Sequence, residues 1–484
     1  MDPHERHVEI LKVWLAENGV SWDEKAIELT TASGDVPLVG GMGVRSSRPL
    51  RAGEVLATIP KSAVLSIRNT QLAPQLSDLD LDVALRCAIC AERALGEKSQ
   101  WHGYFRSLLR SNEPLPYLWS CPERQLLLGT DAYATVEETL ELLREEFREH
   151  QQLLHSPPLH EVTITEEDYL HAATLASSRA FTVDDFHLEA LVPFADVFNH
   201  RCQRVPKGEA IQGTAQRRSE ATCQDVAEVA PFGLWRGRIP KMQIALAEAT
   251  QEVNQVRSGT GPTGQLMIYV LQDLAANVEI FNTYGEFSND KLLQDYGFIL
   301  EQNAFNTVTL PRRGLESPRC AWQLRWAEKH QKQLELLQEG SDEEMESEGS
   351  EEEPEEGAGA AGLGSHGLVS FFELGIATSG AGRPAWPRQL RRFLAVLATP
   401  RRQLKKLSAA GLRVRQRKSF LLGSPVARAL LRRGLRARWA EYPDPCTAEQ
   451  DRAHWRSAGE GPVREALGRK KFWSVSSKSS AARP

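Results

Sequence analysis

Cysteine is scarce in this 484-residue chain. Its seven cysteines, Cys87, Cys90, Cys121, Cys202, Cys223, Cys320 and Cys446, are odd in number and scattered, which excludes a disulfide scaffold and fits a reducing compartment. No apolar run approaches the roughly 18 residues of a membrane span. The charged start MDPHERHVEI has no apolar core of the kind a secretory signal needs, so the chain is expected to be intracellular. Paired Cys and His at zinc spacing are missing too. Cys87 and Cys90 form a lone CxxC inside the helical-looking run DVALRCAICAERAL, where they read as ordinary helix cysteines, and no metal site is expected.

What is present is the composition of a folded protein, with 41% hydrophobic and 25% charged residues. The length allows about two to four domains. A net charge of -6 hides two opposed blocks. Between Glu339 and Glu356 lie 11 acidic residues and no basic one, and without them the rest holds 58 basic against 53 acidic residues. Between Ala381 and Ala440 lie 17 Lys or Arg and no Asp or Glu. The acidic run with its Gly-rich continuation reads as a disordered loop, 339–366. The basic helices offer a positive field for RNA, ribosomal or nuclear contacts, or else a solvated face.

Periodicity orders the chain. His7 to Leu15 reads as a short amphipathic helix, residues 36–66 as short strands broken by Gly and Pro, and residues 77–177 as helices, including a charged amphipathic stretch from Thr135 to Leu154. Strand patterning returns at ALVPFADVFNH, read as one apolar run ending in a polar pair, and again at QLMIYVLQDLA and NVEIFNTYG. The part beyond Cys320 reads as helical. Neither strand-rich piece has enough strands to close a sheet alone, so the two are expected to share one core around a helical insert.

Four short segments carry candidate chemistry. Gly40-Gly41-Met42-Gly43 lets backbone approach a ligand closely, although it runs on into strands and not into a dinucleotide-binding helix. Ser178-Arg179-Ala180-Phe181 closes a helix with a guanidinium and an apolar wall. The run Leu191 to His200 ends in Asn199-His200, able to read the edge of a ligand. Two Tyr-Gly pairs, Tyr284-Gly285 and Tyr296-Gly297, lie twelve residues apart, the second followed by Phe298.

In this order the four segments resemble the SET-domain methyltransferases, specifically the branch typified by the Rubisco large-subunit lysine methyltransferase. The resemblance covers roughly residues 5–310 by motif. It implies an α+β fold, with a β-rich SET domain of several small sheets and a knotted C-terminal segment. The halves would be 1–66 and 178–310, with a helical insertion at 67–177. An all-α substrate-binding domain would follow at 311–484. The implied cofactor is S-adenosyl-L-methionine. Gly41, Met42 and Gly43 would approach it through backbone, Arg179 would pair with its carboxylate, Asn199 and His200 would hold its two ends, and Phe298 would pack on its adenine. Ser178, Phe181 and Asp196 would shape a lysine slot, with Tyr284 and Tyr296 beside the reacting nitrogen as the catalytic pair.

The implied activity is transfer of a methyl group to a lysine amine of a protein, ribosomal or nuclear, in the nucleus or cytoplasm. Two other readings stay open: a SET-fold scaffold without transfer activity that binds RNA or an acidic protein, and a methyltransferase acting on histidine. Two departures from the branch pattern are visible. Arg201-Cys202-Gln203 replaces the polar residues expected after Asn199-His200, and a long polar stretch reaches Gly264.

Overall fold

The computed structural model describes residues 3–31, 42–109, 112–200, 264–270, 273–285, 287–300, 303, 305–329, 371–375, 388–405, 415 and 418–441. Gly41, residues 201–263, the acidic run, and Cys202, Cys223 and Cys446 lie outside the described residues.

Helix α1 (Pro3–Glu17) opens the chain, followed by β1 (Ser21–Trp22), β2 (Ile27–Thr30), β3 (Gly43–Ser46), β4 (Val55–Pro60) and β5 (Leu65–Ser66). A helical segment comes next: α2 (Ala73–Leu76), α3 (Leu81–Ala94), α4 (His102–Ser107), α5 (Cys121–Gln125), α6 (Asp131–Leu154) and α7 (Glu166–Arg179). Then β6 (Ala180–Asp184), β7 (Leu188–Leu191), β8 (Asn199–His200), β9 (Gln265–Tyr269), β10 (Glu279–Asn282) and α8 (Asn289–Tyr296) complete the first body.

Sheet pairing crosses the helical segment three times. The sheets run β1-β4-β9, β2-β3-β10-β8 and β5-β7-β6, so each joins strands from before the helices to strands after them. Such long-range pairing is held by burial. Val44, Leu56, Ile59, Leu65, Leu191, Ile268 and Ile280 all lie in one continuous apolar core that also takes in α1, α3 and α7. Helix α3 is rich in Ala and Leu, and its residues from Ala84 to Glu92 are all buried. Cys87 and Cys90 sit there, and burial pushes the Cys87 thiol up to about 12, far from the thiolate range a ligand or nucleophile needs. Helix α7 starts at Thr165, whose side chain accepts from the Asp168 amide in a capping box, and ends at Arg179.

Two expectations are corrected. The stretch ALVPFADVFNH is not one strand: β7 stops at Leu191, Phe194 takes a positive φ of 80°, and a single 3-10 turn at Ala195–Val197 precedes β8. The reason is local: Pro193 has no amide to give a ladder, and the left-handed Phe194 turns the chain so that Asp196 leaves the strand line. The C-terminal part is not all-α either. Strand β11 (Thr307–Pro311) pairs antiparallel with β12 (Phe371–Gly375), so that a two-stranded sheet brackets the stretch containing the acidic run. The β-branched alternation of TVTLP, intermediate and buried by turns, favours a strand. A second apolar core begins at Val308 and gathers Leu310, Leu315 and Leu390 with Leu394, Leu397 and Leu430. Leu390, Leu394 and Leu397 line the helix Arg388–Ala398, and Leu430 belongs to the helix Pro425–Trp439. Among the described residues no helix is long and apolar enough to cross a membrane.

Candidate active site

The central sheet brings three of the four motif segments together. Strand β10 pairs antiparallel with β3, Ile280 opposite Val44, and parallel with β8, Phe281 opposite Asn199 and Asn282 opposite His200. Met42 and Gly43 thereby come beside Asn199 across a strand more than two hundred residues later in the chain. The Asn199 side-chain amide ties them, donating to the Met42 carbonyl at 3.1 Å and to Glu279 Oε1 at 2.7 Å.

His200 is held by the chain that follows β10. The Tyr284 amide donates to its Nδ1 at 2.9 Å, so the imidazole carries its proton on Nε2. Burial pulls its pKa down to about 3, which keeps the ring neutral at any physiological pH. Around it stand the aromatic rings of the segment with the two Tyr-Gly pairs. His200 lies 5.0 Å from the Tyr284 ring and 6.0 Å from Phe298, and Tyr284 and Tyr296 stack at 4.8 Å. Phe287, which the motif reading did not single out, stacks on Tyr296 at 6.2 Å. Its place depends on Gly285, whose φ is +131°: a Cβ there would meet the Phe287 ring at 2.7 Å.

Tyr284 links this aromatic group to the 3-10 turn. Its hydroxyl donates to the Phe198 carbonyl at 3.0 Å. Burial first, and the carboxylates Asp196, Glu113 and Glu279 after it, push its pKa up against a downward pull from Arg179, so the phenol stays a neutral donor. Tyr296 is likewise held neutral, chiefly by burial.

The Arg179 segment faces the same place from the other side. Sequence reasoning gave Arg179 a cofactor carboxylate; here its partners are two carboxylates of the chain itself. Nε donates to Glu113 Oε1 at 2.8 Å, Nη2 lies 2.6 Å from the same oxygen, and Nη1 donates to Asp196 Oδ2 at 2.9 Å. Burial works against the guanidinium charge, yet Glu113 and Asp196 hold its pKa well above the ordinary value. Tyr104 of α4 adds a hydroxyl donor to Asp196 Oδ2 at 2.7 Å. Ser178 and Phe181 stand differently from the rest. The Ser178 hydroxyl donates to the Thr174 carbonyl within α7, and Phe181 is buried in the core opposite Ala190.

Glu113 and Tyr104 both come from the helical insert and were not legible as site residues. A glutamate in SNEPLP carries no motif, and its partner Arg179 is 66 positions away. Among the described residues no group of three or more His, Cys, Asp or Glu could hold a metal ion.

No protein-family model matches the chain. Among curated proteins it is similar to ribosomal lysine N-methyltransferase 3 of Saccharomyces cerevisiae, 26% identical over 327 residues, covering 56% of this chain and 59% of that protein. It is also similar to the chloroplastic Rubisco large-subunit N-methyltransferase of Nicotiana tabacum, 26% identical over 195 residues, covering 39% of this chain and 38% of that one. The chain spans between 45% and 62% of the length of the first three curated relatives it matches. Among solved structures, the SET domain of LSMT bound to lysine and AdoHcy superposes with a TM-score of 0.62 at 17% identity, covering 99% of this chain and 91% of that one. Rubisco LSMT bound to AdoMet gives 0.61 at 18% identity, covering 98% and 91%. The fold is thus that of the LSMT SET domain, and the sequence is similar to lysine N-methyltransferases that include the Rubisco large-subunit enzyme.

Proposed function

We propose that this protein is an S-adenosylmethionine-dependent protein-lysine N-methyltransferase. One observation carries the reading above the others: β8 and β10 are in register so that Asn199 reaches the Met42 carbonyl while His200 accepts from the Tyr284 amide, and the Tyr284 hydroxyl donates to the Phe198 carbonyl with its ring against Tyr296 and Phe298. The residues present suit the cofactor. Backbone at Met42, the Asn199 amide and the neutral His200 offer polar edges, and Phe298 an apolar face. When bound, S-adenosylmethionine supplies a methyl group on a positively charged sulfur.

The chain's own residues then have a definite task. A lysine amine, with a reference pKa of ~10.4, reaches the site protonated and must lose that proton before it can attack. Apolar rings of Tyr284, Tyr296 and Phe298 disfavour the ammonium and lower that pKa by desolvation, and the proton leaves to water. Tyr284 and Tyr296 confine the side chain to one line of approach, which supplies orientation in place of acid or base catalysis. The fixed dipoles at the Phe198 carbonyl and Tyr284 hydroxyl suit positive charge developing at carbon and nitrogen.

A ribosomal acceptor is the narrower reading. Three of the relatives are named ribosomal lysine N-methyltransferases, and the exposed Arg428, Arg432, Arg433 and Arg436 line the helix Pro425–Trp439, which contains no acidic residue. That face suits RNA phosphates or an acidic partner near the acceptor, in the nucleus or cytoplasm. Incubating the purified protein and labelled S-adenosylmethionine with salt-washed ribosomal subunits tests both levels. Label on a lysine of one ribosomal protein is expected. Label on lysines of other proteins in a whole lysate but never on ribosomes would retain the enzyme and discard the ribosomal acceptor, while label on histidine, or none at all, would overturn the assignment.

A further inference from the structure

The cluster on Arg179 does not balance. Two carboxylates, Glu113 and Asp196, share one guanidinium, and all three side chains are almost completely buried, with exposures of 7%, 2% and 14%. Tyr104 donates a hydrogen bond but no charge, and Oδ1 of Asp196 has no hydrogen-bond partner among the described residues. An unpaired buried acceptor next to an excess negative charge is costly unless a cationic donor arrives to use it. The cluster also adjoins the transfer site, for the Asp196 carbonyl accepts from Arg179 at 3.3 Å and the Phe198 carbonyl, two residues on, accepts from Tyr284.

Glu113 is not there by accident of a loose loop. Its amide donates to Thr174 Oγ1 of α7 at 3.0 Å, and the Trp119 indole donates to the Pro114 carbonyl at 3.0 Å. Gly297, at the left-handed end of α8, lies so close to Pro114 that a Cβ would come within 3.1 Å of its ring and 3.2 Å of its backbone. The second Tyr-Gly pair thus makes room for the insert loop to lay its carboxylate on Arg179. A ligand carboxylate brought to the same guanidinium would add a third anion to one cation, whereas an ammonium would restore neutrality.

Resting on the methyltransferase reading, we propose that Glu113 is a positioning residue that sets acceptor specificity: through Arg179 it gives the acceptor side a net negative charge that selects an ammonium-bearing side chain over a neutral one. Asp196 Oδ1 is the acceptor this charge presents. Glu113 touches neither methyl donor nor amine and acts through Arg179.

Titration calorimetry separates this from the wider reading. AdoHcy is titrated first into the full chain, its Glu113→Gln variant, which keeps the acceptor and removes the charge, and its Glu113→Asp variant, which keeps the charge. L-Lysine and L-norleucine, which lacks the side-chain amine, are then titrated into each AdoHcy complex. Lysine affinity should fall about 5- to 10-fold in Glu113→Gln, with norleucine and AdoHcy within about 2-fold of wild type and lysine affinity partly restored in Glu113→Asp. An unchanged lysine-to-norleucine ratio in Glu113→Gln overturns the inference, as does tighter AdoHcy binding, which would mean that Glu113 competes with a cofactor carboxylate for Arg179. Wild-type protein that binds no AdoHcy would instead overturn the methyltransferase reading itself.

Discussion

On the side of Met42, Asn199 and His200, position comes from strand register and backbone: β10 sets β3 and β8 on its two edges, and a single amide side chain ties Met42 to Glu279. On the side of Arg179, position comes from charge, with Glu113 and Asp196 drawn from two different segments onto one guanidinium. The contrast teaches where each side is vulnerable. Register is shared among many backbone bonds and tolerates loss of one side chain, whereas a buried ion cluster fails when one member is removed, because the others remain uncompensated.

The largest expected effect therefore lies on the charged side. Arg179→Met, which keeps much of the volume and removes the charge, should lower stability by roughly 3–5 kcal/mol in urea unfolding. Adding Glu113→Gln to that variant should recover part of the loss, because one stranded carboxylate disappears. A cost near zero for Arg179→Met would mean that the two carboxylates do not depend on it, and the contrast between the sides would fail.

Tyr284 stands where the sides meet, and its ring and hydroxyl can be separated. Tyr284→Phe keeps the stacking on Tyr296 and the contact with His200 while removing the donor to the Phe198 carbonyl. Turnover should fall about 10- to 100-fold while AdoHcy affinity stays within about 2-fold, since the hydroxyl acts mainly on the charge that develops during transfer. Single-turnover rates beside calorimetry check this, and a full-rate variant would remove Tyr284 from the catalytic pair.

Gly297→Ala tests the same boundary from the backbone. With φ at +76° and Pro114 at 3.1 Å, an added methyl should cost about 1–2 kcal/mol and displace the loop that carries Glu113. The sharper readout is the split. The apparent constant for a protein acceptor should rise while AdoHcy binding, which depends on the register side, holds. Equal losses on both would show that α8 braces the two sides alike.

The same contrast explains what could be read from sequence. Asn199-His200 and Tyr284-Gly285 stand out because a strand ending in polar residues and a Tyr-Gly turn are local patterns, and the register that unites them follows from strands that need partners. Glu113 and Tyr104 were not legible, since a glutamate before proline and a tyrosine in a short helix acquire meaning only when the insert folds back onto Asp196 and Arg179. Strand β12 escaped for a related reason. Five residues after a Gly-rich stretch carry no decisive period, and only the alternating TVTLP of β11 gives them a partner. Phe194 shows the opposite failure: its apolar neighbours suggest a continuous strand, while its positive φ ends one.

A third buried carboxylate, Glu189 on β7, sharpens the comparison because no cation among the described residues forms an ion pair with it. Burial, then the nearby Asp82, push its pKa up to about 8, with Arg86 pulling the other way. Arg86 itself is committed to Glu146 at 2.9 Å. Glu189 is therefore largely protonated in the folded protein at neutral pH and largely ionised when unfolded. A folded-state pKa above the unfolded one means that its contribution to stability is fully present below about pH 4.5 and is lost as pH rises through about 8. Glu189→Gln removes that dependence. Relative to wild type, the variant should gain about 2 kcal/mol between about pH 6 and about pH 8, read from paired urea titrations. Wild-type and variant curves that stay parallel across that window would show that Glu189 finds a compensating partner on folding, as Glu113 does.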